Sequence, residues 1–171
     1  GPLMLTRSIL PVMRRQGYGR IIQNSSVLGF VALPFRGAYN ASKYAIEGLS
    51  DTLRLELQGS NIHVSLIEPG PIASQFRTNA VKALSKYIDI ANSFHRERYQ
   101  GVLNRLNKPG PAVPFTLPPE AVLERVIHAL EASRPQARYY VTFPTHLFGL
   151  LKRILSTRAL DVLLAKSGNN N

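Results

Sequence analysis

The apolar positions of this chain change repeatedly from helical to strand-like spacing, and this change predicts an α/β fold. Residues 3–16 carry apolar side chains at mostly helical spacing, and Gly17 and Gly19 are placed to end that helix. Ile21 and Ile22 then stand side by side, as expected for a parallel strand that is covered on both faces. The first residues therefore predict a helix followed by a buried strand.

The next part of the chain repeats this order. A helix is predicted from Gly37 to about Gly59, and the branched residues of Ile62–Glu68 predict a second strand. A further helix begins at the proline pair before Glu120, and Tyr139–Thr142 is a short third strand. Strands that alternate with helices predict parallel, right-handed βαβ units.

Three segments lie outside this pattern. Residues 74–105 are predicted to be largely helical and form either a lid over a lipophilic pocket or a packed pair of surface helices. Residues 107–119 contain five prolines and are predicted to be an irregular connector. We therefore divide the chain into a main unit over 1–144, with the lid region at 74–119, and a tail over 145–171.

The tail is predicted to be amphipathic, basic and helical over about 145–166. Its apolar and basic residues are Phe148, Leu151, Ile154 and Leu155 against Lys152, Arg153 and Arg158. Such a helix can lie on a membrane surface as a peripheral contact. It can also pack near a substrate entrance or against another subunit, and the sequence leaves these alternatives open.

Composition narrows the classes of function. The 171 residues fit one domain, and no apolar run is long enough to span a membrane. There is no cysteine, so disulfides and thiolate metal sites are excluded, and His63 and His95 lack neighbours at metal-ligand spacing. The net charge of +11 comes from dispersed residues without a nucleic-acid-binding motif. We expect a cytoplasmic protein that holds no metal and binds no nucleic acid.

The candidate chemistry is centred on Tyr39 and Lys43. Residues four apart share one face of a helix, so the Lys43 ammonium can lie near the Tyr39 phenol and favour its phenolate form. Such a phenol can give or take a proton near neutral pH. On its own the pair also fits an ordinary helix surface, so its surroundings decide between the two interpretations.

Those surroundings point to a site at the strand ends. Ser26 follows the first strand, and Pro69 and Gly70 follow the second. Ligands of open parallel sheets bind beyond the carboxyl ends of the strands. Both segments are therefore expected to face one crevice.

These residues resemble the short-chain dehydrogenase/reductase (SDR) family. The resemblance rests on a strand that ends in Ser25-Ser26, on Gly29, on Tyr39 thirteen residues after Ser26, and on the later Pro69-Gly70 pair. The resemblance covers about residues 1–141. Within the family, the chain is most similar to retinol dehydrogenase-like, hydroxysteroid dehydrogenase-like and aldehyde reductase members. It implies the C-terminal portion of a Rossmann-type parallel sheet, with about three strands and flanking helices.

The resemblance implies a catalytic role for Ser26, Tyr39 and Lys43. Ser26 would bind and polarise the substrate oxygen, and Tyr39 would transfer the proton. Lys43 would assist Tyr39 and, together with it, hold the nicotinamide ribose. The substrate would be a small alcohol or carbonyl compound, and the apolar lid and tail suggest that it is lipophilic.

The resemblance also implies a nicotinamide cofactor, NADP or NAD, with NADP slightly favoured. Its further contacts would be Pro69 and Gly70, Ile72 at the carboxamide, and Ser74, which stands where the family usually has Thr. The family also implies a homo-oligomer, such as a dimer, that assembles through the active-site helix. Small residues on that helix agree with this use, and they agree equally well with packing on the sheet.

One family feature is missing from the sequence. No segment places the glycine-rich Gly-x-x-x-Gly-x-Gly loop between a strand and a helix. We therefore expect the N-terminal half of the nucleotide-binding fold to be missing, with Gly1-Pro2 either native or left from a cleaved tag. Two hypotheses follow: an alcohol–carbonyl oxidoreductase, or a truncated, catalytically silent fragment or assembly module that cannot bind the dinucleotide.

Overall fold

The computed structural model describes residues 1–110 and 113–169. Its strands and the turn after the first strand are β1 (Gly19–Asn24), the 3-10 turn (Val27–Gly29), β2 (Ile62–Glu68) and β3 (Arg138–Tyr140). Its helices are α1 (Pro2–Gln16), α2 (Gly37–Glu56), α3 (Phe76–Tyr87), α4 (Arg96–Leu106), α5 (Glu120–Glu131), α6 (Phe143–Ile154) and α7 (Thr157–Asn169). Strands alternate with helices, which confirms the predicted α/β class.

The three strands form one parallel sheet in the order β1-β2-β3. Gly19 pairs with Ile62 and the register continues to Asn24 and Ile67, while β3 pairs with the last residues of β2. Because all strands are parallel, their carboxyl ends lie at one edge of the sheet. The predicted parallel βαβ unit is confirmed.

Helices cover both faces of the sheet. On one face, Ile21 and Val64 pack with Leu57 and with residues of α1 and α2. On the other face, Ile67 and Tyr139 pack against Ala129 and its neighbours on α5. Burial on both faces explains why β2 is apolar or buried at nearly every position.

The segment predicted to be largely helical over 74–105 contains two separate helices, α3 and α4. Between them, the Asp89 carboxylate accepts hydrogen bonds from the backbone and side-chain nitrogens of Asn92, at 3.3 and 2.8 Å. Such local side-chain bonds compete with helical hydrogen bonding and stop the helix. The segment is therefore a helix pair joined by a turn.

The tail predicted to be helical over 145–166 is interrupted once, between α6 and α7. Leu155 has an extended backbone with ψ of 146°, and it separates α6 from α7. The Ser156 hydroxyl then accepts a hydrogen bond from the Ala159 backbone at 3.4 Å, as a residue at a helix start does. The tail therefore consists of two shorter helices.

The third strand begins and ends earlier than predicted. Its residues are Arg138–Tyr140, while Thr142 has already left the sheet and precedes α6. In the proline-rich connector, Leu117 forms an isolated parallel bridge with Ile72. Two residues of this predicted connector, 111 and 112, lie outside the described part of the chain.

The C-terminal helices pack on the loop that follows β1. Leu160 and Leu164 of α7 are buried with Leu28 and Val31. The apolar tail residues that pack against the same cluster are Phe148, Leu151 and Leu155. Three of the four apolar tail residues named above therefore pack inside the molecule. Within the described ranges, no helix combines the length and apolar character needed to cross a bilayer.

Candidate active site

Ser26 joins the carboxyl ends of β1 and β2. Its hydroxyl oxygen accepts a hydrogen bond from the Leu28 backbone N–H at 3.2 Å and donates to the Pro69 carbonyl oxygen at 3.4 Å. The Val27 N–H donates to the same Pro69 carbonyl at 2.9 Å. These bonds fix the Ser26 hydroxyl at the edge where parallel sheets bind ligands.

Lys43 connects α2 to the same edge. Its ammonium donates a hydrogen bond to the Asn24 carbonyl at 2.8 Å and lies 5.6 Å from the centroid of the Tyr39 ring. Burial lowers the pKa of Lys43, and the negative charge of Glu47 opposes this effect. An ammonium has three N–H donors, so Lys43 can bind Asn24 and a ligand together.

Tyr39 faces the loop after β1 and the lid region. Its ring packs against the apolar cluster that contains Leu28 and Val31, and it meets the Phe76 ring edge-on with centroids 5.5 Å apart. Among the described residues, no protein group forms a hydrogen bond with the Tyr39 hydroxyl. The phenol is therefore held by its ring while its oxygen is available to a ligand.

The structure thus places all three predicted catalytic residues around one short segment, the end of β1. Ser26 belongs to it, Lys43 binds its carbonyl group, and Tyr39 packs on the turn that follows it. The side chains come together because α2 crosses back over the sheet after the loop. The arrangement can hold an oxygen-bearing ligand and exchange a proton with it.

The residues predicted to contact the cofactor continue from β2 along the same edge. A β-carbon at Gly70 would lie only 2.1 Å from the Thr142 hydroxyl oxygen and 2.8 Å from that of Thr145, so only glycine fits there. Further along, Ile72 pairs with the connector, and the Ser74 hydroxyl accepts a hydrogen bond from the first residue of α3 at 3.3 Å. The path of this loop is therefore set by α6 and by the lid region.

A buried polar cluster, which sequence reasoning missed, lies behind the site. Nη1 of Arg138 donates to both Glu47 and Glu68, and Nη2 donates to Asp51 at 2.6 Å. The Ser25 hydroxyl donates to Glu47. The sequence contained one indication of this cluster, which is its closeness to the predicted site residues. Ser25 and Glu68 directly precede Ser26 and Pro69, and Glu47 lies one helical turn after Lys43.

Glu68 is the most deeply buried member of this cluster, with none of its surface exposed. Burial raises the pKa of Glu68, the nearby Glu47 carboxylate also raises it, and Arg138 lowers it, with a net value of about 8. Two carboxylates that share one guanidinium nitrogen cannot both be charged without repulsion. Glu68 therefore keeps a proton at neutral pH.

This proton makes stability depend on pH. The pKa of Glu68 is higher in the folded chain than its ordinary value of 4.5, so its contribution to folding is complete below that value. The contribution is lost as the pH rises through about 8. We expect the free energy of unfolding, measured with urea, to fall between about pH 5 and about pH 8, the interval between the two pKa values.

Glu68→Gln provides the control, because Gln keeps the shape but cannot titrate. The variant should show a smaller change in unfolding free energy over the same pH range, since all other titrating groups remain. An equal change in both proteins would show that Glu68 is not the responsible group.

A sequence profile described as "short chain dehydrogenase" matches residues 1–85. The chain is 43% identical over 164 residues to the Escherichia coli protein "Uncharacterized oxidoreductase YbbO", covering 96% of this chain and 55% of YbbO. It is 35% identical over 144 residues to human 17-beta-hydroxysteroid dehydrogenase type 1, covering 83% of this chain and 43% of that protein. The chain belongs to the short-chain dehydrogenase/reductase family.

Solved structures agree with this assignment. A short chain dehydrogenase from Burkholderia cenocepacia in complex with NADP is 21% identical, with a TM-score of 0.65, and the match covers 95% of this chain and 55% of that one. L-sorbose reductase from Gluconobacter frateurii, complexed with NADPH and L-sorbose, is 29% identical, with a TM-score of 0.56 and coverages of 81% and 51%. The first supports the fold alone. The chain spans about half the length of the proteins it matches.

Proposed function

We propose that this chain forms the catalytic part of an NAD(P)-dependent oxidoreductase that interconverts an alcohol and a carbonyl compound. The observation that supports this most directly is the position of Lys43. Its ammonium bridges the Asn24 carbonyl and the Tyr39 ring at the strand end that also presents Ser26. A phenol, a cation and a fixed hydroxyl at one ligand-binding edge are the groups that proton exchange with a substrate oxygen requires.

In this proposal the chain moves the proton. During oxidation, the Tyr39 phenolate oxygen accepts the proton of the substrate hydroxyl, and during reduction it returns a proton to the carbonyl oxygen. Ser26 holds that oxygen by a hydrogen bond, and the Lys43 ammonium lies 5.6 Å from the centre of the Tyr39 ring. The nicotinamide, when bound, supplies or accepts the hydride.

The residues present fit the nicotinamide end of such a cofactor. Lys43 forms no salt bridge among the described residues and keeps N–H donors for a ribose, and Tyr39 stands beside it. Gly70 lets the loop from Pro69 to Ser74 run close along the strand ends. Similar solved structures are complexes with NADP, NAD or NADPH. This sequence has no Gly-x-x-x-Gly-x-Gly loop for the pyrophosphate.

We propose a lipophilic substrate on two grounds. The lid region presents apolar rings near Tyr39, including Phe76, which is half exposed. A related human protein is named for a hydroxysteroid. An apolar substrate body would cover these rings while its oxygen meets Tyr39 and Ser26.

We also propose that copies of the chain associate through α2. Its small residues Ala41, Ala45 and Gly48 are exposed, and a β-carbon at Gly48 would meet no atom within 4 Å. Such a surface allows two helices to approach closely.

The outer face of α6 offers a peripheral membrane contact, because Phe143, Leu150 and Ile154 are more than half exposed.

Binding of NADPH distinguishes this function from the catalytically silent alternative. If the nicotinamide end binds as proposed, titration of the chain with NADPH should saturate, and Lys43→Met should weaken binding by about tenfold, since a charged hydrogen bond is lost. Lys82→Met, which removes an exposed lysine of α3, is the matched control. Absence of saturable binding would favour the silent fragment, and equal losses in both variants would exclude Lys43 as the contact.

A further inference from the structure

The end of β1 is attached to α2 by two contacts that lie one helical turn apart. Lys43 donates a hydrogen bond to the Asn24 carbonyl at 2.8 Å. One turn later, Oε1 of Glu47 accepts a hydrogen bond from the Ser25 hydroxyl. Residues four apart share one face of a helix, so a single face of α2 binds two consecutive residues of the strand end.

The same helix face and the same strand end carry the proposed catalytic groups. Tyr39 lies one turn before Lys43, and Ser26 directly follows Ser25. The position of Ser26 relative to Tyr39 therefore depends on how firmly the strand end is held against α2. The proposed proton exchange needs both groups at one substrate oxygen, and a misplacement of about 1 Å can cost about 10²-fold in rate.

The contact between Ser25 and Glu47 is enclosed by the protein. Both side chains are buried, whereas the contact of Lys43 with Asn24 lies at an exposed position. A β-carbon at Gly29 would lie 2.6 Å from the Ser25 hydroxyl oxygen and 2.8 Å from Oε1 of Glu47. The backbone of the turn after β1 therefore packs directly on this contact. A hydrogen bond in such surroundings is stronger than one in water.

The Glu47 carboxylate is itself fixed at both oxygens. Oε1 accepts from Ser25, and Oε2 accepts from Nη1 of Arg138 on β3. The backbone N–H of Ser25 donates to the Ile67 carbonyl at 2.8 Å, which holds the strand end in the sheet. The side-chain contact holds the same residue against α2, so Ser25 is fixed in two directions.

We propose that Glu47 is a positioning residue, which acts through the Ser25 hydroxyl to hold Ser26 in place for the substrate oxygen. This inference rests on the proposed oxidoreductase function and adds a residue to the groups that support it. It also gives Gly29 a role, because a side chain at that position would push Ser25 and Glu47 apart.

Ser25→Ala is the sharpest test, because it removes one buried hydroxyl and leaves the bond between Glu47 and Arg138 in place. Ser65→Ala is the matched control. Ser65 is 2% exposed, against 3% for Ser25, and its hydroxyl donates to the Gln136 carbonyl at 2.8 Å. The two variants therefore lose the same group from equally buried positions, and of the two only Ser25 adjoins the proposed catalytic groups.

The first measurement is hydrogen exchange of the Leu28 amide in the 171-residue chain, because this amide donates to the Ser26 hydroxyl. Ser25→Ala should speed this exchange by about tenfold, as expected for the loss of a hydrogen bond to a charged group. Ser65→Ala should exchange like the wild type. Equal exchange of the Leu28 amide in the two variants would overturn the proposal.

The second measurement is turnover, followed as NADPH oxidation in the presence of an aldehyde. Ser25→Ala should lower kcat at least about tenfold and leave the KM for NADPH unchanged, because Lys43 keeps its bond to Asn24. Ser65→Ala should match the wild type in both constants. Equal values of kcat in Ser25→Ala and Ser65→Ala would show that the contact serves stability alone and would overturn the proposal.

A pair of Glu47 variants tests whether the carboxylate acts through Ser25. Glu47→Ala should lower kcat, and adding Ser25→Ala to it should cost nothing further, since both substitutions break one contact. Glu47→Gln should recover most of the loss, because Gln can still bond the Ser25 hydroxyl. Additive losses, or a loss that Gln does not recover, would overturn the proposal.

The two measurements also separate this inference from the proposed function. Absence of wild-type turnover, together with the expected exchange of the Leu28 amide, would count against the oxidoreductase function and would still show that Glu47 holds Ser26. Normal wild-type turnover with equal exchange in Ser25→Ala and Ser65→Ala would leave the function standing and remove the role of Glu47.

Discussion

Tyr39→Phe is expected to lower turnover by about 10²- to 10⁴-fold, the usual contribution of a positioned proton donor or acceptor. The substitution removes only the phenolic oxygen. The ring contacts with Phe76 and with the cluster around Leu28 and Val31 remain. Since no described protein group bonds that oxygen, the free energy of unfolding should change little. The loss should appear in kcat.

Turnover is measured as NADPH oxidation in the presence of an aldehyde. The assay uses this chain or, if the chain alone shows no turnover, a chimera in which the N-terminal part of E. coli YbbO precedes it. Tyr44→Phe is the matched control, because Tyr44 lies on the same helix and its ring is 41% exposed. If Tyr39→Phe retained turnover similar to that of Tyr44→Phe, Tyr39 would not be the proton donor.

Arg138→Met is expected to reduce the free energy of unfolding by about 3–5 kcal/mol, because it leaves buried carboxylates without their cation. Glu47 is 6% exposed and Glu68 is fully buried. Arg138 joins both of them and Asp51. Methionine fills much of the same space but carries no charge, so Glu47 keeps only the Ser25 hydroxyl as a hydrogen-bond partner.

Urea unfolding near neutral pH measures this loss. Arg134→Met, four residues away at an exposed position, provides the control and should change stability by less than about 0.5 kcal/mol. Adding Glu68→Gln to Arg138→Met should recover little at neutral pH, where Glu68 already holds a proton. A loss below about 1 kcal/mol for Arg138→Met would show that the carboxylates find other partners or water.

The sheet and the positions of the three proposed catalytic residues could be predicted from local sequence. Ile62–Glu68 is apolar and branched because both faces of β2 are covered, and this gives a pattern that is easily recognised. Tyr39 and Lys43 are one helical turn apart, and Ser26 follows a strand directly. Each of these relations spans only a few residues, so a linear sequence contains it.

The remaining features depend on contacts between distant residues. Glu47 and Arg138 are 91 positions apart, and no spacing rule connects them. The break before α7 depends on Leu155, whose side chain is needed in the cluster around Leu28.

The packing of α7 on the turn after Ser26 has a consequence for how the molecule loses order. Leu160 and Leu164 pack against Leu28 and Val31. The Tyr39 ring packs against the same cluster. Helix α7 and the proposed catalytic groups are therefore expected to lose their order together. A chain that ended before Leu160 would lose the packing that holds the Tyr39 ring, while the three strands would stay paired.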